Sequence, residues 1–108
     1  MTISIDQFKD VEIKVGTVLT AEAVPDSDKL IKLSVDFGEE APRQILSGIR
    51  EFVSPESLVG RQFPFVTNLA PRTIRGLESN GMILAVGEGE TFSLLSPSTT
   101  VAPGSRAR

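Results

Sequence analysis

The residues best suited to chemistry in this chain are cations, amides and hydroxyls rather than nucleophiles or metal ligands. The stretch 68–81, NLAPRTIRGLESNG, brings together Asn68, Arg72, Arg75 and Ser79 with two glycines. Arginine forks chelate phosphate, Asn and Ser hydrogen-bond to polar edges, and glycine lets a ligand approach the backbone. The pattern indicates phosphate and base-edge contacts. A solvent-exposed loop whose arginines pair with acidic side chains explains it equally well.

Three further residues are candidates for the same kind of contact. In the turn DSDKL, Lys29 stands at the start of a predicted strand and is placed to hold a phosphate, although a solvated lysine is the simpler explanation from composition alone. The stretch SGI begins at Ser47 and ends another predicted strand, where a structural bend explains the glycine equally well. Met82 opens an apolar strand, and such a residue is more often in the core than against a base.

Most catalytic chemistry is excluded, because the chain contains no histidine, cysteine, tryptophan or tyrosine. It therefore lacks thiol nucleophiles, histidine-based triads, conventional zinc ligands and disulfides. Asp26 and Asp28 are more simply turn residues than a catalytic pair. We expect a domain that is not an enzyme, has no catalytic residues and needs neither a metal nor another cofactor.

The formal net charge of −3 conceals an uneven distribution. Residues 1–40 contain four lysines against nine acidic residues, whereas residues 41–77 contain five arginines against two glutamates. This basic middle segment is compatible with an anionic ligand and predicts salt-sensitive binding. Six phenylalanines are the only aromatic residues, which argues against generic single-strand binding by base stacking. Recognition of a folded RNA by shape and backbone fits better.

Short alternating segments must position these residues. The predicted strands are 11–15, interrupted at Gly16 by a bulge or sharp bend, followed by 30–37, 43–49, 63–67, 82–86 and 91–95. A capping box at Ser4 and Gln7 predicts one helical turn, and Pro55 to Val59 is predicted as a second short helix. The fourteen residues 68–81 are predicted as a long loop between two strands.

This arrangement predicts one all-β domain over residues 1–108. The leading fold is a five-stranded OB-fold barrel with short helices and a C-terminal extension at residues 94–108. An SH3-like barrel or a small sandwich remains compatible with the pattern. We expect a cytoplasmic protein with no membrane association, because the sequence shows no signal peptide, lipidation motif or apolar run of bilayer length.

Several ordered blocks of sequence resemble one family. The blocks are IKVGTV from Ile13, SDKL from Ser27, LSVDFG from Leu33, ILSGI from Ile45, NL and PR within 68–72, RG at 75–76 followed by Ser79, GM at 81–82 and PGS from Pro103. Together they closely resemble the tRNA-binding domain shared by the C-terminal domain of bacterial methionyl-tRNA synthetase, stand-alone structure-specific tRNA-binding proteins and the endothelial monocyte-activating polypeptide type. The resemblance covers nearly the whole chain.

The resemblance implies an OB-fold that grips the outside corner of the L-shaped tRNA, largely without reading sequence. It also implies a homodimer, with the segment from Leu94 onward closing the interface and Val101 and Pro103 packing there. Lys14 departs from the family's usual arginine, which preserves charge but not a bidentate fork. The positions that match the family's tRNA contacts are Lys29, Ser47, Asn68, Arg72, Arg75, Ser79 and Met82.

The expected function is therefore a non-catalytic tRNA-binding module that assists methionyl-tRNA synthetase as its C-terminal domain or as a separate subunit. Its expected partners are tRNA, a second copy of the chain and the catalytic subunit of that synthetase. The alternative is a protein-interaction dimer, because related CsaA-type chaperones bind extended polypeptide on a similar scaffold. Those chaperones lack the Ser-Asp-Lys-Leu and Asn-Leu-x-Pro-Arg through Gly-Met blocks in this form, so the residues favour tRNA.

Overall fold

Short β-strands make up most of the ordered elements in the computed structural model, which describes all 108 residues. The strands are β1 (Ile13–Ala23), β2 (Ile31–Asp36), β3 (Arg43–Ser47), β4 (Gln62–Val66), β5 (Arg72–Ile74), β6 (Leu77–Ser79), β7 (Met82–Ile83), β8 (Ala85–Val86) and β9 (Ser93–Leu94). The helices are α1 (Ile5–Phe8) and two 3-10 helices, Pro55–Leu58 and Gly89–Thr91. The predicted all-β class is confirmed.

Five strands form an antiparallel sheet in the order β3-β2-β1-β4-β7, which curls until its two edges nearly meet. At the seam the Asn80 N–H donates to the Gln44 carbonyl at 2.9 Å, and the Ser79 hydroxyl accepts from the Leu46 N–H at 3.0 Å. Joining these edges gives the strand connectivity of an OB-fold barrel, and the predicted fold is confirmed.

The barrel interior follows the two-residue period of the strands. Along β2, Ile31, Leu33 and Val35 are buried while the intervening side chains are only half-buried. Phe63 and Phe65 of the neighbouring β4 are also fully buried. These side chains belong to one core cluster of eleven residues, so a single hydrophobic core fixes the strands that carry the loops.

The interruption predicted at Gly16 is wrong, because β1 continues through it. The register against β2 instead shifts between Val18 and Thr20. A Cβ atom at position 16 would overlap the side chain of Val35 and lie 2.7 Å from Cε1 of Phe37. Glycine is therefore needed here for close packing inside the barrel rather than for a bulge.

Both short helices predicted from capping patterns are present. In α1 the Ser4 hydroxyl accepts from the Gln7 N–H at 3.1 Å, and the Gln7 side chain accepts from the Ser4 N–H at 2.8 Å. The second helix is of the 3-10 type and ends at Leu58, and the Ser54 side chain does not cap it. None of the helices is long and apolar enough to cross a membrane.

The last two predicted strands, 82–86 and 91–95, are wrong in extent. The first divides into β7, which pairs with β4, and β8, which pairs with β9 in a separate two-stranded sheet. The break coincides with Pro64, whose carbonyl accepts from the Leu84 N–H at 3.1 Å. The reciprocal bond of that pair is missing because proline has no N–H. The second predicted strand shortens because the 3-10 helix Gly89–Thr91 precedes it.

The C-terminal extension returns to the barrel rather than trailing into solvent. The Gly104 N–H donates to the Val15 carbonyl of β1 at 2.7 Å. The Gln62 side chain binds both backbone groups of Val101, accepting at 3.0 Å and donating at 2.7 Å. The packing of Val101 and Pro103 in a dimer interface stays a prediction.

Candidate nucleic-acid-binding surface

Two connections carry most of the predicted contact residues. The Lys29 loop, residues 24–30, joins β1 to β2, and the hairpin loop, residues 67–81, joins β4 to β7. In barrel order these are the loops between strands one and two and between strands four and five, which OB-folds commonly use to bind oligonucleotides. Ser47 and Met82 lie at the ends of adjoining barrel strands, so the fold gathers the candidates around these two loops.

The hairpin loop has regular structure of its own, which corrects the prediction of a long loop without strands. Within it β5 pairs with β6, placing Arg72 opposite Ser79. The two-residue turn between these strands is Arg75-Gly76, with φ angles of 51° and 77°. Positive φ at both positions is the signature of a type I′ hairpin turn, in which glycine is favoured. Arg75 is therefore held at the tip of a β-ribbon.

Lys29 and Arg75 line the same cleft although they come from different loops. The cleft has a volume of about 460 Å³, and Gly48 lies between the two loops on its wall. Asp26 and Asp28 also line it, so the cleft presents charges of both signs. A phosphate of an RNA backbone can therefore contact a cation from each loop. The two carboxylates repel anions and so weaken non-specific binding to the cleft.

The cations Lys29, Arg72 and Arg75 are exposed and have no carboxylate partner within the chain. All three ion pairs of the fold involve other cations, namely Lys14 with Glu12, Lys32 with Glu22 and Arg43 with Glu39. The alternative in which the loop arginines pair with acidic side chains is therefore wrong. These three side chains remain available to an anionic ligand.

Asn68 is already used to attach the hairpin loop to β1. Its side-chain oxygen accepts from the Glu12 N–H at 2.9 Å, and its side-chain nitrogen donates to the Asp10 carbonyl at 2.7 Å. The neighbouring Thr67 hydroxyl donates to the Glu12 carboxylate at 2.8 Å. This bond, together with Lys14, lowers the pKa of Glu12. The predicted contact of Asn68 with tRNA stays a prediction, since its amide has a structural role here.

The two candidate serines are buried. The Ser79 hydroxyl accepts from the Leu46 N–H and donates to the Gly81 carbonyl at 3.3 Å, so it joins the hairpin loop to β3. Ser47 lies at the end of β3, opposite Ile31 of β2. Their contacts with tRNA also stay predictions. Structural hydrogen bonding accounts for a serine at position 79.

Met82 is 45% exposed at the start of β7. This is unlike the core position that composition alone favours, and Ile83 fills that position instead with 7% exposure. A flexible, polarisable thioether on the surface can pack against a base or sugar without a fixed geometry. The exposure supports the contact that the family resemblance implies.

Arg43 is a residue of the site that sequence reasoning missed. Its guanidinium donates to the Thr67 carbonyl at 2.6 Å and to the Asn80 carbonyl at 3.5 Å, so it bonds to both ends of the hairpin loop. Glu39 receives two further bonds at 2.8 and 2.9 Å, and these hydrogen bonds lower the pKa of Glu39 and raise that of Arg43. In the sequence, the opposite charges of Glu39 and Arg43 four residues apart were the one feature that could have indicated their ion pair.

The basic middle segment is less available to ligands than its charge suggests. The Arg50 guanidinium donates to the Ser27 carbonyl in the Lys29 loop. The Arg61 guanidinium lies 5.0 Å from the centre of the Phe63 ring. With Arg43 also occupied, Arg72 and Arg75 are the two arginines of the segment that project without an intramolecular partner.

Comparisons with known proteins agree with this geometry. Residues 13–106 match the family described as "Putative tRNA binding domain". The chain is 55% identical to the methionine–tRNA ligase of Methanoregula boonei over 106 residues, which are 98% of this chain and 16% of the ligase. The chain thus spans about one-sixth of that relative.

Solved structures extend the likeness to the fold. The MetRS-related protein from Pyrococcus horikoshii is 39% identical with a TM-score of 0.91, covering 100% of this chain and 99% of that one. The chaperone CsaA from Bacillus anthracis is 29% identical with a TM-score of 0.88, covering the whole of both chains. The family is a binding module without catalytic function, so the prediction that the chain is not an enzyme is confirmed. The chain belongs to the family of tRNA-binding domains found in methionine–tRNA ligases.

Proposed function

We propose that this domain binds folded tRNA through the surface shared by the Lys29 loop and the hairpin loop, and that it serves methionyl-tRNA synthetase. The observation that carries the proposal is the set of three unpaired cations, Lys29, Arg72 and Arg75, on the two loops that OB-folds use for oligonucleotides. The family match over residues 13–106 supports tRNA as the ligand.

Backbone and shape recognition fits the chemistry of this surface. Lysine and arginine bind phosphates without reporting base identity. The exposed Met82 adds an adaptable apolar contact, and the surface offers no exposed aromatic side chain in either loop for base stacking. The domain therefore recognises the outside of a folded RNA rather than a particular sequence.

Service to a synthetase is supported by the similarity of the chain to part of the methionine–tRNA ligases. We propose that the domain acts in the cytoplasm, as the C-terminal domain of the ligase or as a separate subunit bound to its catalytic subunit. A tethered second binding site raises the effective concentration of tRNA at the catalytic domain, even when the site itself binds weakly. The tRNA is thereby retained without any catalytic group in this domain.

Binding of total tRNA and of duplex DNA of similar mass, compared at matched salt, tests the ligand. We expect tRNA to bind more tightly, because recognition by shape and backbone distinguishes a folded RNA from a regular DNA duplex. Equal weak binding to both nucleic acids would overturn the proposal. Repeating the titration with Arg61→Met, which removes one positive charge outside the two loops, shows how far the preference for tRNA depends on net charge alone.

We also propose a homodimer in solution. A groove of about 360 Å³ lies between α1 and the C-terminus. Four of its lining residues are apolar, namely Ile5, Phe8, Val11 and Ala107, and three are cations, namely Lys9, Arg106 and Arg108. Ile5, Phe8 and Val11 are all exposed in the single chain, so several large apolar side chains share this surface. A second copy covering the groove would remove this surface from water. Light scattering that gives a monomer mass at micromolar concentration would contradict the dimer.

Binding of extended polypeptide is the second candidate function, favoured by the full-length likeness to the chaperone CsaA. The two functions make opposite predictions for substitution of the loop cations. Removing Lys29 and Arg72 should weaken RNA binding, make its salt slope shallower by about 2 and leave peptide binding unchanged. Peptide binding in the wild-type protein without tRNA binding would favour the chaperone function.

A further inference from the structure

Arg50 follows the end of β3 and contacts the Lys29 loop twice. Its backbone N–H donates to the Lys29 carbonyl at 3.0 Å, and its guanidinium donates to the Ser27 carbonyl. The two bonds reach carbonyls on either side of Asp28, across more than twenty residues of sequence. One residue just beyond the third barrel strand therefore holds the turn from outside.

The Lys29 loop also has bonds of its own, and most of them involve Ser27, which is 6% exposed. The Ser27 hydroxyl accepts from the Lys29 N–H at 3.3 Å and from the Leu30 N–H at 3.1 Å. With Arg50 added, both backbone groups of Lys29 are bonded while its side chain stays exposed. Lys29 is thus held by a hydrogen-bonded backbone and lines the cleft that Arg75 also lines.

We propose that Arg50 is a positioning residue of the tRNA surface, acting through the Lys29 loop rather than by touching RNA. This inference rests on the proposed function. An arginine that donates to a backbone carbonyl has its fork partly occupied, whereas Lys29, Arg72 and Arg75 have no such partner. Arg50 contributes to affinity by holding the backbone of the Lys29 loop, so that Lys29 stays in the cleft that Arg75 also lines.

The direct test is a double-mutant cycle with Arg50→Met and Lys29→Met, which retain long side chains without charge. If the loop without Arg50 adopts the binding geometry about one-tenth of the time, tRNA affinity falls about tenfold. In the Lys29→Met background the same substitution should then change affinity less than about twofold, because the residue it positions is gone. An equal loss in both backgrounds would show direct RNA contact and overturn the inference.

Arg61→Met is the matched control, since it removes one exposed arginine outside the two loops. Arg61 immediately precedes β4, whereas Asn68 follows the other end of that strand. The substitution changes net charge by the same amount and should weaken tRNA binding by less than about twofold, because screened charges beyond a Debye length contribute little. If Arg50→Met weakens binding no more than Arg61→Met does, the positioning role is wrong.

Amide hydrogen exchange gives a readout that does not require RNA. We expect faster exchange at Lys29 and Leu30 in the Arg50→Met protein, with the exchange of the β4 core amides unchanged. Unchanged exchange at Lys29 and Leu30 would overturn the inference even if RNA binding fell. Failure of the wild-type protein to bind tRNA would overturn the proposed function instead, and the exchange result would then decide by itself whether Arg50 orders the loop.

Discussion

The two loops of the candidate surface hold their cations in different ways. The hairpin loop is a β-ribbon attached at its base by Arg43, Asn68 and Ser79, with Arg75 at its far tip. The Lys29 loop is a short turn organised around one buried serine and braced by Arg50. The position of Arg75 therefore depends on bonds at the base of the hairpin loop, far from Arg75 itself. The position of Lys29 depends on bonds within and next to its own turn.

Arg43→Met should have the largest effect, because it removes the bonds at both ends of the hairpin loop and leaves the carbonyls of Thr67 and Asn80 without this donor. Hydrogen bonds to charged groups contribute about 1.5–3 kcal/mol, so we expect a loss of about 2 kcal/mol in the free energy of unfolding. Urea denaturation measures it. A loss no larger than that for Arg50→Met would contradict the contrast between the loops.

Ser79→Ala should be next, because the Leu46 N–H at the barrel seam loses its acceptor. An unsatisfied buried donor costs about 1–3 kcal/mol, and we expect a loss of about 1 kcal/mol in urea unfolding because a single bond between neutral groups is removed. Ser57→Ala, whose hydroxyl donates only to an exposed turn carbonyl, is the control. Equal stability of the two variants would show that Ser79 is not structural.

Arg72→Ala should leave folding intact and change the salt dependence of tRNA binding. If the guanidinium meets one phosphate, the slope of log affinity against log salt should become shallower by about 1. Fluorescence titrations between low and moderate salt measure the slope. An unchanged slope together with unchanged affinity would remove Arg72 from the binding surface.

The smallest expected effect is a loss of stability in acid, confined to the hairpin loop. The pKa values of Glu12 and Glu39 are lowered, by the Thr67 hydroxyl and by Arg43 respectively. Such stabilisation is present above the unfolded carboxyl pKa of about 4.3 and disappears as pH falls through the lower folded value. Both carboxylates lie at the base of this loop, where Glu12 accepts from Thr67 and Glu39 accepts from Arg43.

Glu39→Gln provides the measurement for this prediction. The variant should be less stable than the wild-type protein at neutral pH, and the difference should vanish in urea titrations well below pH 4. As the pH is lowered, the protection factor of the Asn80 amide should fall before that of the Leu30 amide does. A constant difference between the two proteins at every pH would show that ionisation of Glu39 does not stabilise the loop.

Local sequence patterns predicted the structure correctly where the interactions lie within one strand or one helix. The alternation from Ile31 to Phe37 predicts β2 and its buried face, and the spacing of Ser4 and Gln7 predicts a capping box that is present. The hairpin in 68–81 was missed because its strands are only three residues long and contain no alternating apolar run. Gly16 was misassigned because its reason is an overlap with Val35, a residue on another strand.

The all-β class, the absence of His- or Cys-based chemistry, the family resemblance and the candidate cations could all be inferred from the amino-acid sequence. Which of these cations are available to a ligand depends on the tertiary fold. Arg43 and Arg50 carry the same charge as Arg72 and Arg75, yet the first two bond to backbone carbonyls while the latter two project into solvent. The charge of a side chain is set by its residue type and can be read from the sequence. Whether an arginine is free to bind a ligand depends on whether the fold brings a carbonyl from a distant part of the chain within hydrogen-bonding distance.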